Sequence, residues 1–335
     1  IYVDKDAMGV NDGSSWEDAF TDLADGLAAA DSGDKVWIAE GRYTPANAPM
    51  RNSTYGDRTR SFLVVSGVTI RGGFLGFETS PSQRSLDAES VVLDGDIVSN
   101  DTPGDFFAHS DNVANVIVIN GSRSFTTTID RLVIRGGYAS LIDPFFPDIQ
   151  VFPYSCGGGI TLNNGLLELS NVIIKDNAAA SAGGGLYVAD GGRDLYFTDT
   201  VFNNNILDIY LADEVTLPGG SAAWIGGTGD IVLHNCEVSS NASTGDPATL
   251  VGSGTMHFSF RSLYAYDCAF LDNFTFEGNG NNNRAVVGSA IDGHAGTSID
   301  LYSCSVEGNR GGPAVAAPSV SAETSIFLDN YNKLD

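Results

Sequence analysis

The sequence predicts an all-β chain wound into a right-handed parallel β-helix, a solenoid of about ten rungs behind an N-terminal amphipathic capping helix. Three observations carry that expectation. A segment that opens on glycines and closes on asparagine recurs along the second half of the chain. Its inner positions line up as apolar columns. Those columns alternate with the period of two that belongs to strands, not the period of 3.6 that belongs to helices.

The recurrence begins with GGGITLNNGLLELSNVIIKDN at 157–177 and GGGLYVADGGRDLYFTDTVFNNN at 183–205, and looser copies continue to residue 330. The closing residues are Asn177, Asn205, Asn241, Asn273, Asn309 and Asn330, at intervals of 28, 36, 32, 36 and 21 residues. Counted back from each asparagine, the last eleven positions align without gaps. A constant core between unequal intervals is one structural unit with variable loops.

Three residues before the asparagine stand Ile174, Phe202, Val238, Phe270, Val306 and Phe327; five before stand Val172, Thr200, Cys236, Cys268, Cys304 and Ser325. Eight before stand Leu169, Phe197, Leu233, Ala265, Leu301 and Ala322, and ten before stand Leu167, Leu195, Ile231, Leu263, Ile299 and Val320. Each pair of columns is two residues apart, but between the pairs the phase slips by one. The chain must bend there. The sixth position before the asparagine holds Asn171, Asp199, Asn235, Asp267, Ser303 or Thr324, short polar side chains suited to tight bends. The glycine-led start supplies a third short strand after a turn that needs positive φ.

Upstream the pattern is looser. VWIAEGRY, VTIRGGF, VVLDGDI and LVIRGG place Ile38, Ile70, Leu93 and Ile134 in the Phe202 column, giving a rod roughly 50 Å long at ~4.8 Å per rung. Before them, Ser14 and Glu17 form a capping-box pattern, and Trp16, Phe20, Leu23 and Leu27 share one helix face ahead of Gly33. Such a helix covers the first rung and blocks stray strand pairing. The organisation expected is residues 1–34 as strand and capping helix and 35–335 as one continuous β-helix.

The four cysteines are too few for a disulfide scaffold. Cys236, Cys268 and Cys304 share an inward column, so they read as small buried hydrophobes before they read as a cross-link. The net charge of −25 argues against nucleic acid and anionic membranes as partners. No apolar run is long enough for a transmembrane helix. No signal peptide is visible, as expected of a mature chain starting at Ile1.

The last repeat carries no capping device, so its rung is expected to present a sticky edge, covered by further chain or by another molecule. Head-to-tail self-association is the expectation, with Ile1, Tyr2 and Val3 of one copy covering Phe327 and Tyr331 of the next. The variable loops after each asparagine would form a contact edge bearing Ile209, Tyr210, Phe274 and Phe276, open to surface proteins or glycans.

The GGGI, GGGL and GSAI starts, followed by IIKDN, VFNNN or AFLDN, resemble the repeats of polymorphic outer membrane proteins. The opening IYVDKDAMGVNDGSSWEDAF, together with VVLDGDI and IDRLVIRGGYA, resembles secreted bacterial right-handed β-helix proteins. The resemblance implies extracellular display and an adhesive or structural role. Ile174, Val238 and Val306 replace the motif's phenylalanine, and the glycine pair degrades after residue 220.

An enzyme reading competes, because a β-helix can carry polysaccharide lyases and hydrolases. A lyase needs a base beside groups that neutralise a uronate. Lys175 with Arg193 and Asp194 on the next rung is the nearest approach, against a plain reading as solvated turn charges. His294, in DGHAG, reads as surface. For calcium, Asp4, Asp6, Asn11 and Asp12 loosely follow a binding loop without its closing glutamate. Asp94 with Asp96, and Asp101 with Asp105, are alternatives, and all of these also suit turns. No cofactor other than calcium is implied. Sequons fall at Asn52, Asn100, Asn120, Asn241 and Asn273, with outward turn asparagines expected to be accessible. The expected role is an extracellular structural or adhesive protein that forms filaments; the alternative is a polysaccharide-binding or polysaccharide-degrading β-helix.

Overall fold

The computed structural model describes residues 1–101, 106–122, 124–140, 154–189, 192–208, 219–244, 254–258, 261–275, 290–293 and 296–330. Among them the strands form three wholly parallel sheets of 17, 8 and 5 strands. This is a parallel β-helix. One turn of it shows how the sequence produces the path. Gly192–Thr198 runs in the largest sheet. Asp199 adopts φ 48°, and Val201–Asn203 continues in the same sheet after that bend. Asn204, at φ 52°, turns the chain again, and Ile206–Asp208 enters the five-stranded sheet. The path returns through Gly220 to Ala223–Ile225 in the eight-stranded sheet and then to Gly229–His234, one rung on.

The bend column has positive φ throughout: Arg131, Asn171, Asp199, Asn235, Asp267, Ser303 and Thr324 lie between 48° and 61°. A second such column stands one residue before each asparagine, at Asp176, Asn204, Ser240, Asp272, Gly308 and Asp329. Asn and Asp tolerate this conformation through local side-chain hydrogen bonds. The glycine pairs answer two separate demands. Gly157 and Gly183 sit at φ 69° and 63°. A Cβ on Gly158 or Gly184 would come within 2.4 Å of the Ala178 or Ile206 carbonyl oxygen, so the second glycine lets the five-stranded sheet approach.

The inward columns are dry. Ile174 pairs with Phe202, Phe202 with Val238, Val238 with Phe270 and Phe270 with Val306, and all are buried. One apolar cluster runs unbroken from Val3 to Val306. Upstream, Leu93 and Ile134 do join this column, and Tyr43 precedes them. Ile70 does not. It pairs with Ile129, which pairs with Leu169, so it belongs to the column eight before the asparagine. Ile38 pairs with Val3, next to a register shift between Trp37 and Ala39. Both remain buried, because the bend lets either half of the sheet point inward.

The asparagines are not outward turn residues; they are the buried spine of the solenoid. Oδ1 of Asn205 accepts from the backbone N–H (3.3 Å) and side-chain Nδ2 (3.1 Å) of Asn177. Asn241 does the same for Asn205, Asn273 for Asn241, Asn309 for Asn273 and Asn330 for Asn309. Each Nδ2 also donates to a carbonyl of the preceding rung, as from Asn241 to Phe202 at 2.9 Å. At the head of the ladder, Asn177 Oδ1 accepts from the Gly137 N–H.

The N-terminal cap differs from expectation. The helix is Leu23–Ala28, capped by Asp22, whose Oδ1 accepts from Ala24 N at 2.8 Å. Residues 14–18 are turns, not helix. The Ser14 N–H donates to Asp12, and the Trp16 indole donates to the Glu78 carbonyl within a cluster of Tyr2, Trp37 and Phe74. Tertiary aromatic packing has overridden the local capping signal. Leu23 and Leu27 still enter the core. The strand Tyr2–Val3 pairs with Lys35–Ala39 on one side, while Gly13 and Phe20 bond its other side. Both of its edges are therefore bonded within the chain.

At the far end, Val320, Ile326, Phe327 and Leu328 keep the register of the rung before them but are 44% to 54% exposed. All four cysteines are free and buried. Cys236, Cys268 and Cys304 stack in the column as small side chains, each thiol donating to the carbonyl two residues earlier. Hydrogen bonding to Cys236 pushes the Cys268 thiol up to about 12, and burial does the same for Cys156. Hydrogen bonding to Cys268 draws the Cys236 thiol down, but all four are buried, so a thiol reagent is expected to leave them unmodified in native protein and to titrate four after unfolding.

Replacing Asn241 by alanine strands the Asn205 donors and the Phe202 carbonyl in a dry interior. The expected loss is roughly 2–4 kcal/mol, visible as a lower melting temperature and faster amide exchange in the flanking rungs. Phe327→Ala, on the exposed rung, should change stability by less than about 1 kcal/mol.

Candidate functional site

The eight-stranded sheet turns one residue of each strand away from the core. Ile160–Leu162, Leu186–Val188, Ala223–Ile225, Met256–Phe258 and Ile291–Gly293 pair in register, so Thr161, Tyr187, Trp224, His257 and Asp292 form one outward column. Outward residues of a solenoid are ordinarily exposed. Here Tyr187 and Trp224 are 8% exposed, and His257 and Asp292 are 4% exposed.

The column is chemically specific. The rings of Tyr187 and Trp224 stack at 4.8 Å and 13°. With Cys156 and Ala182 they make a small apolar cluster separate from the main core. The next two rungs bring His257 Nδ1 within 2.8 Å of Asp292 Oδ2. A carboxylate on one ring nitrogen fixes the tautomer and orientation of an imidazole, which is the arrangement of a proton-transfer pair. Trp224 Nε1 and Ser221 Oγ are buried without a hydrogen-bond partner among the described residues. A buried indole N–H left unpaired costs about 1–3 kcal/mol and marks a place for an acceptor.

Arg261 braces the floor. Its Nε and Nη2 donate to the Gly226 carbonyl at 2.9 and 2.7 Å, and Nη1 donates to the Arg193 carbonyl at 2.7 Å. Burial pushes this guanidinium down to about 10. Its fork is committed to backbone, so it offers no grip for a carboxylate ligand.

The sites expected from sequence fare differently. Lys175 ends the strand Gly165–Lys175, whereas Arg193 and Asp194 lie in the register shift between the Gly165–Gly192 and Leu167–Leu195 pairs, near the opposite end of that strand. Asp194 Oδ1 accepts from the Asp230 N–H. The three do not converge, so no lyase site forms from them. Asp4, Asp6, Asn11 and Asp12 are spent on turns: Asp4 accepts from the Asp6 N–H, Asp6 pairs with Lys5, Asn11 accepts from Thr21, and Asp12 accepts from Ser14. Among the described residues, no three His, Cys, Asp or Glu side chains group to hold an ion. Asp94 is instead buried under Arg42 and Arg135, each at 2.8 Å.

Of the sequons, Asn100 and Asn120 are exposed and Asn52 caps a turn at Thr54. Asn241 and Asn273 belong to the buried ladder, contrary to the accessibility expected of turn asparagines. Of the interface residues, Tyr2 and Val3 are used internally as described, and Ile1 donates from its amino group to the Lys35 carbonyl. Phe274 is half-buried, paired with Ala242 and bridged to Arg310, and Phe327 is exposed. Ile209, Tyr210, Phe276, Tyr331, Asp105 and His294 lie outside the described residues.

Sequence reasoning missed the column itself. Its signal is legible in retrospect as the middle letters of ITL, LYV, AWI, MHF and IDG, the first three each four residues past the positive-φ glycine at Gly157, Gly183 or Gly220.

No protein-family model and no curated protein matches the chain. Solved structures do. A rhamnogalacturonan lyase is similar over 92% of this chain and 69% of its own, at 15% identity and a TM-score of 0.46. An alginate lyase from Paenibacillus sp. matches over 93% and 95%, at 15% identity and a TM-score of 0.38. Pectin methylesterase PemA from Erwinia chrysanthemi matches over 94% and 79%, at 12% identity and a TM-score of 0.30. At these values the fold rests on the chain's own strand register, not on the likeness.

In a host that N-glycosylates, peptide mass spectrometry should find glycan at Asn100 or Asn120 and none at Asn241 or Asn273.

Proposed function

We propose that the protein is a polysaccharide-active β-helix that binds a glycan at the outward column of the eight-stranded sheet, with His257 and Asp292 as a proton-transfer pair. The observation that supports this most is the column itself. A stacked Tyr187–Trp224 pair, an unpartnered indole N–H and a buried His–Asp pair stand on consecutive rungs. Aromatic rings give sugars an apolar face to rest on, and a buried donor gives orientation. The column brings no uncommitted Lys or Arg among the described residues, and the chain carries −25 overall. Neutral glycans suit it better than uronates. Because the side chains are nearly closed to solvent, entry is coupled to a local opening.

A second reading, the structural or adhesive role, draws on another face. His234, Tyr266 and Tyr302 stack at 4.7 and 4.8 Å along the outside of the largest sheet, with Tyr196 exposed in the neighbouring column. With the exposed rung at Val320–Leu328, that strip suits lateral or end contacts between surface proteins. An extracellular location fits both readings and the acidic surface.

Calorimetric titration against a panel of neutral and uronic-acid polysaccharides, with a reducing-end assay alongside, tests the proposal. Trp224→Phe keeps a ring and removes the N–H, and should weaken binding about tenfold. His257→Gln should abolish any turnover while leaving binding within about threefold. Absence of glycan binding, or equal binding by Trp224→Phe, rejects the site.

A further inference from the structure

We propose that the place where Asn100 and Asp101 meet Asp111 and Asn112 is a binding site for a hard divalent cation such as calcium, held by Asp101, Asp111 and the side-chain oxygen of Asn112. Two dipeptides face each other there. Asn100 Nδ2 donates to Asp111 Oδ2 at 2.9 Å, and Asn112 Nδ2 donates to Asp101 Oδ2 at 2.8 Å. This reciprocal clasp uses one oxygen of each carboxylate. The other, Oδ1 of Asp101 and Oδ1 of Asp111, is buried and has no hydrogen-bond partner among the described residues. Asn112 is fully buried, its Nδ2 is held by Asp101 and the Gly136 carbonyl, and its Oδ1 is likewise without a donor.

Three orphaned acceptor oxygens within one clasp are a deficit of positive charge or donors, because a buried acceptor left dry loses the hydrogen bonds water gave it. Neighbouring cations do not supply it. Arg42 and Arg135 are engaged on Asp94. Arg58 donates to the carbonyls of Asn112 and Tyr138 and to Ser140, although its charge is felt by Asp111. His109 Nδ1 lies 3.0 Å from Asp101 Oδ2, the oxygen already used. Burial, more than any other cause, holds the Asp101 carboxyl above its ordinary range, with Asp96 and Asp94 adding to it. A hard cation takes six to eight oxygen ligands and accepts amide oxygens and water beside carboxylates. Two carboxylates and one amide fall short of three acidic ligands, so the ion would complete its shell with water or backbone carbonyls.

The test is calorimetric and thermal titration of chelator-stripped protein with calcium chloride. One saturable site per chain and a melting temperature several degrees higher in millimolar calcium are expected. Asp101→Asn and Asp111→Asn are isosteric and should each weaken that site at least tenfold. Every variant removes one charge among 42 acidic residues, so calcium attracted only by the general surface charge would act on the variants as on the parent. An unchanged calcium response in both variants overturns the proposal, as does the absence of a saturable site in the parent protein. If a variant fails to fold, the parent titration alone decides.

Discussion

From Asn177 onward each rung closes on an asparagine, buried in all but the last, and the rest of the solenoid depends on what that side chain does. A tight turn inside a dry wall leaves backbone N–H and C=O groups that neither sheet can pair. An asparagine carries two donors and an oxygen with two lone pairs, enough to accept twice from the preceding rung and donate to carbonyls at the same time. The ladder from Asn177 to Asn330 is therefore both the satisfaction of six turns and a register device. A rung that slipped by one residue would expose the asparagine and bury a charged neighbour such as Asp176 or Asp272. Where the turn is Gly136–Gly137, the backbone N–H takes the place of the amide, and the ladder stops.

With register set from within, the outward positions are free to vary, and chemistry collects there. The inward columns hold Leu, Ile, Val, Phe and Cys in near-interchangeable order, because stacking asks only for volume and dryness. The outward column of the eight-stranded sheet is not interchangeable. It runs through an aromatic stack to a His–Asp pair, and its burial removes the water that would otherwise weaken the pairing. The same separation explains the clasp at Asp101 and Asp111. It lies beside the wall and is held against it by the Asn112 bond to Gly136, without interrupting the stack.

The two ends are unlike. The first strand is bonded on both sides and sits under Leu23 and Leu27, while the last rung repeats the inward pattern with its apolar side chains exposed. Tyr2 and Val3 are bonded within their own chain on both sides, so an end-to-end contact between copies would be made by side chains and not by that strand edge. The cap is made by tertiary contacts of Phe20, Gly13 and Trp16, which no local helix signal encodes.

The sequence by itself determined the parallel β-helix, its bend column and the inward columns, because a repeat imposes the same environment at the same offset and six copies reveal it. It also placed Cys236, Cys268 and Cys304 inside. Where the asparagine marker is missing, upstream of residue 157, the two halves of the largest sheet look alike, since both alternate apolar residues at period two. Only strand pairing assigned Ile70 and Ile38 to their columns. Tertiary structure alone decided that the asparagines are buried, that Tyr187, Trp224, His257 and Asp292 stand in line, and that Lys175 and Arg193 do not meet. Those are contacts between residues 21 or more positions apart, or between neighbours whose burial depends on what packs over them, and no periodicity in a single chain records either.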